Sequence, residues 1–377
     1  MTDPSRPLDP AADTEAMPVA GPAPTAAAPG PDGLRGPEDA LRPGDEGRRS
    51  DAFALVASRP SELPTGLAPY HHFLRTPRAR WWKGLLLILS FVAIYLGLSI
   101  VLTIGAVSVD VAMGRVNSQD LLEGRLTMTP ALLLATNLAP ALMIPGSLLL
   151  QWAFFGQRPR WMHSVQGAFR WRLLLRAAVV IVPLWAAYVL LTTFVLAPPP
   201  TGRFTTESVV LLVIVVLTTP LQAAGEEYGA RGLLTRAAGS WVADPRLALV
   251  LGTLVSAVLF TVAHGAGDPW LITYYFVFAV SLSVVTWRTG GLEVAVLVHA
   301  VNNVFLFVLL VSLGSDLSQT FNRQDGVAGP SMLVPMALLV LVAAVVWFWA
   351  RRLDVVRTFT PPAPVSQSAP LENALRP

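Results

Sequence analysis

Between Gly84 and Ala350 this chain contains eight apolar stretches without a single Asp, Glu, Lys or Arg: Gly84–Val109, Leu126–Gln157, Ala177–Gly202, Ser208–Gly225, Leu247–Ala263, Pro269–Trp287, Val294–Ser315 and Gly326–Ala350. Each is long enough to cross a hydrocarbon core of about 30 Å at about 1.5 Å per residue. The expected fold class is therefore all-α, a polytopic membrane protein of about eight transmembrane helices with its site between the core helices. Composition agrees: 53% of residues are hydrophobic and 14% charged, with a mean hydropathy of +0.55. That is too apolar for a soluble domain with a wet surface.

The ends read differently. Residues 1–80 are rich in Pro, Ala and Gly, carry scattered charges of both signs and lack an apolar period, so a disordered cytoplasmic segment is expected. No charged region followed by a short apolar core opens the chain, and Gly84 onward is expected to act as the first targeting segment. The organisation that follows is 81–200 for the first helices and a basic loop, 201–315 for a catalytic core, 316–352 for the last helix, and 353–377 for a disordered tail.

Basic residues cluster before the first span (Arg75, Arg78, Arg80, Lys83) and after the second, fourth, sixth and eighth, while the alternate loops carry sparse, mixed charge. With eight spans every basic cluster falls on one face, so a multi-pass protein of the cell membrane with both termini cytoplasmic is expected. The net charge of +3 follows from arginines beside an anionic leaflet and calls for no nucleic-acid partner. The sequence has no cysteine, which excludes a thiolate nucleophile, a disulfide and a thiolate metal site.

Three polar interruptions break the apolar runs: Gly225-Glu226-Glu227-Tyr228-Gly229-Ala230-Arg231, Phe260-Thr261-Val262-Ala263-His264, and His299-Ala300-Val301-Asn302-Asn303. Carboxylates and a guanidinium at the edge of hydrocarbon are costly, and their default reading is functional. On a helix Glu227 and Arg231 are four apart and share a face, in the order that favours an ion pair. Glu226 lies about 100° around the axis, free of that pair. The division of labour expected is a structural Glu227–Arg231 pair with Glu226 as the reacting carboxylate, a general base. His299 and Asn303 are again four apart and can donate together to a developing oxyanion; Asn302 can share that face. His264, from a third helix, could hold a water against Glu226.

Taken singly, each has a plainer reading. A His or Asn in an apolar helix is commonly a helix-to-helix hydrogen bond, and the two glutamates also suit the proton or cation site of a transporter. The combination weighs more, because only five His occur in the chain and two of them interrupt apolar spans. Other intramembrane chemistries fit less well. Gly265-Ala266-Gly267-Asp268 matches the Gly-x-Gly-Asp string of aspartyl intramembrane proteases, but none of the eight runs supplies a second Asp. Gly97-Leu98-Ser99 lacks the Gly that follows a rhomboid serine, and no His-Glu-x-x-His zincin string is present.

The order Glu-Glu-x-x-x-Arg, Phe-x-x-x-His, His-x-x-x-Asn on successive hydrophobic helices resembles the CPBP family of intramembrane glutamic endopeptidases, also called the CAAX-protease and bacteriocin-processing or Abi family. The resemblance covers about Glu207–Val311, with a further upstream fit at Arg158–Arg176. It implies a peptidase in which Glu226 and His264 activate a water while His299 and Asn303 hold the scissile carbonyl as it becomes tetrahedral. A Glu with two His is also a zinc donor set, but Asn303 suits an oxyanion hole better, so no cofactor is expected. The implied partner is a membrane-associated peptide or protein: a leader peptide, a small membrane peptide or a regulator's cytosolic tail. In the family's eukaryotic branch the last three residues after a prenylated Cys are removed. The rival readings are a non-catalytic scaffold or bacteriocin-immunity-type factor of the same fold, and a proton-coupled transporter.

One geometric question is left open by the spacing. If the fifth span starts at Leu247, His264 lies about 25 Å along it, whereas Glu226 ends its own run. Either the fourth helix continues inward past Arg231 and the fifth begins deeper, or the helices are strongly tilted or broken. His299, near the start of the seventh span, fits a site open to the cytoplasm.

Overall fold

The computed structural model describes residues 61–361 apart from 118, 120–122, 124–126 and 197–201. The segment 1–60 and the end of the tail from 362, both expected to be disordered, lie outside the described residues. Within them are eight helices long and apolar enough to cross a membrane: α1 (Trp81–Ala112), α2 (Pro130–Phe155), α3 (Trp171–Val195), α4 (Thr206–Gly239), α5 (Pro245–Ala263), α6 (Pro269–Thr289), α7 (Glu293–Ser312) and α8 (Pro330–Arg352). The chain is an all-α polytopic membrane protein.

Several helices start on local chemistry that satisfies their first free amides. The Thr129 side chain accepts from Leu132 N ahead of Pro130. Asp244 and Asp268 do the same ahead of Pro245 and Pro269, each accepting from the two amides that follow the proline. The Asp of the Gly-x-Gly-Asp string, Asp268, thus caps α6. Large apolar side chains such as Val179, Leu217 and Val101 are exposed, as lipid-facing positions are, and association rests on close packing and interhelical hydrogen bonds.

The largest departure from the sequence reading is α4. Its uncharged run stops at Gly225, yet the helix continues to Gly239, about 50 Å in all. The extension is not regular. From Tyr228 to Leu234 it winds as a π-helix, a form that concentrates at functional sites. The Ala230 carbonyl there accepts from the Ser256 hydroxyl at 2.9 Å and the Thr235 hydroxyl at 3.0 Å. Glu226 is consequently a mid-helix residue: the fourth helix does run on past Arg231, whereas the fifth does not begin deeper but starts at Pro245.

The central helix α4 packs between α2 and α7. Asn137 of α2 donates to Thr218 and Thr219 at 2.8 and 3.0 Å. The approach is closest at Gly225, where a Cβ would stand 1.8 Å from the Pro140 carbonyl oxygen. Any side chain there would push Glu226 away from its present position.

The end of the bundle that carries the basic loops is extensively tied together. Residues 61–80, expected to be unstructured, instead pack here: Tyr70, Phe73 and Leu74 are buried, and β1 (Ala68–Pro69) pairs antiparallel with β2 (Thr358–Phe359) of the tail. Arg170 clasps the fully buried Glu293 with two side-chain bonds of 2.7 and 2.8 Å and a backbone bond of 2.9 Å. Buried Arg236 donates to Gln151 and Gln157 at 2.5 and 2.6 Å. These residues occur where apolarity breaks off, and a hydrophobic core flanks them.

Candidate active site

The two adjacent glutamates of α4 have opposite surroundings. Glu227 is fully buried, and its Oε1 accepts from Arg231 Nη1 at 2.9 Å and from His299 Nδ1 at 2.8 Å. Arg231, also fully buried, has the Phe260 ring 4.8 Å from its guanidinium carbon. Glu226 stands instead in the wall of a cavity of about 790 Å³, together with Gln222, His264, His299, Asn302 and Asn303. Gln222, one turn before it, donates to its Oε1. Its Oε2 accepts no hydrogen bond among the described residues and lies 3.5 Å from His299 Nε2.

His299 thus connects the two carboxylates. Because Nδ1 faces the Glu227 carboxylate, it is the protonated donor, and Nε2 is left facing Glu226 and the cavity. The His264 ring is set by a different device. Its Nδ1 lies 2.7 Å from the Phe260 carbonyl, an acceptor only, so Nδ1 carries the hydrogen and Nε2 presents a lone pair. The ring stacks on Tyr275 with centroids 4.0 Å apart.

Asn303 donates to Gln222 Oε1 at 3.0 Å and accepts from Asn302 at 3.0 Å, while the Tyr274 hydroxyl donates to Asn302 at 3.4 Å. A chain of side chains from α6 through α7 to α4 therefore ends on Glu226. The amide of Asn303 has a second hydrogen not used in this chain. Among the described residues no three His, Cys, Asp or Glu are grouped as a metal site.

The structure brings all of Glu226, His264, His299 and Asn303 to one cavity, and keeps Glu227 and Arg231 behind its wall. Sequence reasoning passed over Gln222, although its place four residues before Glu226 on an apolar helix was a usable signal. Tyr274, Tyr275 and Arg323 also line the cavity; Arg323 belongs to a loop, where no periodicity marks it. The cavity does not open on the basic end, as the position of His299 suggests. No residue of the basic loops lines it, whereas Thr193, Phe321, Arg323 and Met332, from the opposite end, do.

Residues 206–305 match the sequence model of a family described as type II CAAX prenyl endopeptidase Rce1-like. Over that stretch, about a quarter of the chain, the sequence is similar to the CAAX-protease family. That stretch begins with α4 and ends two residues after Asn303, so it contains every residue of the polar cluster just described. No curated protein and no solved structure matches the chain. The matched segment is thus similar to that of CAAX-type endopeptidases, and it lies in a chain with eight helices long and apolar enough to cross a membrane among the described residues.

Proposed function

We propose that the protease hydrolyses a peptide bond with a water activated by Glu226 and held by His264, without a metal ion. The observation that carries this reading is the asymmetry of the adjacent glutamates: Glu227 is fully buried behind the cavity wall with its Oε1 shared by Arg231 and His299, while Glu226 lines the cavity with an oxygen that has no protein partner. Water donates one hydrogen to Glu226 Oε2 and the other to His264 Nε2, and its oxygen attacks the scissile carbonyl. Glu226 takes up the proton. The carbonyl oxygen, now an oxyanion, accepts from Asn303 Nδ2 and from a protonated His299 Nε2. Collapse of the tetrahedral species breaks the C–N bond, and the proton on Glu226 passes to the leaving amine. The chain of Gln222, Asn303, Asn302 and Tyr274 keeps the carboxylate aimed.

The test is a comparison of membrane-peptide profiles from cells making the wild type, Glu226→Gln or Asn303→Ala at equal levels. Peptides released by the wild type should be absent with Glu226→Gln and about 10²–10³-fold fewer with Asn303→Ala, the usual effect of losing one oxyanion donor. The purified enzyme should keep its rate through exhaustive chelation, since a glutamate-activated water holds no ligand field to dismantle. Identical profiles for wild type and Glu226→Gln would favour a scaffold, and activity that follows removal and return of zinc would replace the water mechanism.

The basic end is assigned to the cytoplasm of the cell membrane by its arginines, which puts the cavity's far wall at the other surface. The absence of cysteine from the chain makes this simple to test. On intact cells a membrane-impermeant maleimide should label Asp325→Cys and should reach Arg246→Cys only after permeabilisation; the reverse pattern inverts the topology.

A further inference from the structure

The loop between α7 and α8 returns over the cavity and carries one cation to it. Arg323 lies beyond the segment shared with the family, is partly buried, and lines the same cavity as Glu226 and His264. Its Nη1 donates to the backbone carbonyl of His264 at 3.0 Å. Its guanidinium lies 5.2 Å from the Tyr275 ring, and that ring stacks on His264. Cation, phenol and imidazole therefore make one continuous stretch of wall.

The loop is held in place independently of this side chain. Gly267 N donates to the Arg323 carbonyl at 2.8 Å, and Asp268 Oδ2 accepts from Gly326 N and Ala328 N at 3.0 and 3.1 Å. Those bonds also engage the nearby carboxylate of Asp268, whose other oxygen caps α6. Among the described residues Arg323 has no carboxylate in ion-pair contact, and only one of its donors is bonded to protein. A guanidinium fixed by one arm and stacked on an aromatic ring, with its other donors free towards a cavity, has the geometry of a carboxylate receptor.

We propose that Arg323 binds a carboxylate of the peptide being cut, beside His264, and so selects substrates that present one within a few residues of the scissile bond. This rests on the peptidase reading above. The carboxylate is either the free C-terminus of the substrate or an Asp or Glu side chain near the cut.

The probes are N-acylated octapeptides randomised over their last five positions, each synthesised as free acid and as C-terminal amide, with and without Asp or Glu. Binding is measured on the full chain in nanodiscs with Glu226→Gln, and cleavage on the wild type by mass spectrometry of products. If the C-terminus is the ligand, free acids should bind at least about tenfold tighter than amides, the factor carried by 1.4 kcal/mol. If a side chain is the ligand, the same preference appears among amides that contain Asp or Glu. Arg323→Gln in the same background should bring the favoured probes down to the level of the neutral amides and leave those unchanged, while Arg323→Lys retains part of the preference. Absence of any carboxylate preference, or one that survives Arg323→Gln, overturns the proposal, including the case in which that substitution lowers the melting temperature alone. Carboxylate-dependent binding without cleavage by the wild type would refute the peptidase and leave Arg323 standing; cleavage indifferent to carboxylates would do the opposite.

Discussion

The two ends of this helix bundle are built on opposite principles. At the basic end buried charged and polar side chains are tied to other protein groups: Glu293 is enclosed by Arg170, Arg236 is shared between Gln151 and Gln157, and His163 meets the Tyr228 hydroxyl at 2.6 Å. Even residues before the first helix and after the last pair there, through Ala68 and Phe359. In the cavity half, Glu226 and Arg323 retain unused acceptors and donors. A desolvated polar group left unsatisfied costs free energy, and such cost is tolerated where the group acts on something else. The contrast teaches that the locked end holds α4, α5 and α7 in register so that the other end can present polar atoms to a cavity.

The sharpest way to break this contrast is to remove one pin from the locked end. Arg170→Ala strands the fully buried Glu293 carboxylate and should cost about 3–5 kcal/mol of stability, visible as a much lower melting temperature in detergent. Glu226→Gln, in the cavity, should leave the melting temperature close to that of the wild type. Equal losses for both variants would mean that the two ends are not distinct.

A smaller effect comes from pH. Burial pushes the His71 ring down to about 4, and its Nε2–H donates to the Pro245 carbonyl at 2.8 Å; burial also lowers His72. A group held neutral in the native state takes up its proton more readily once released. Stability from His71 is thus full above its ordinary value near 6.5 and falls as pH drops from there towards 4. Hydrogen exchange of the amides around 68–76, corrected for intrinsic rates, should speed up between pH 7 and pH 5, and His71→Gln should flatten that dependence. The cavity half should not follow it. If the whole bundle loosens together over this range, the locked end is not a separate unit.

Much of this architecture is legible in the residues. Eight uncharged runs correspond to eight helices because a long apolar segment has no soluble alternative, and helical spacing places Glu227 beside Arg231, and His299 beside Asn303. Helix limits were less legible. Gly225 closes an uncharged run, but α4 continues because its charged residues are paired once folded, Arg231 with Glu227 and Arg236 with two glutamines. Composition marks residues 61–80 as irregular, and they are; their burial depends on partners nearly three hundred residues away, as Phe359 is from Ala68.

The sequence by itself determined the fold class, the common side of the basic loops, and the residue types able to carry hydrolysis, since hydropathy, charge alternation and helical period are local properties. Only the tertiary structure decided which glutamate is enclosed and which faces the cavity, because facing 100° apart on one helix acquires meaning only from what stands on each side. It also decided that Gln222 and Asn302 join the cluster, that the cavity reaches the end away from the basic loops, and that Arg323 meets His264. Those are contacts between segments far apart in the chain, where packing brings together residues that no period relates.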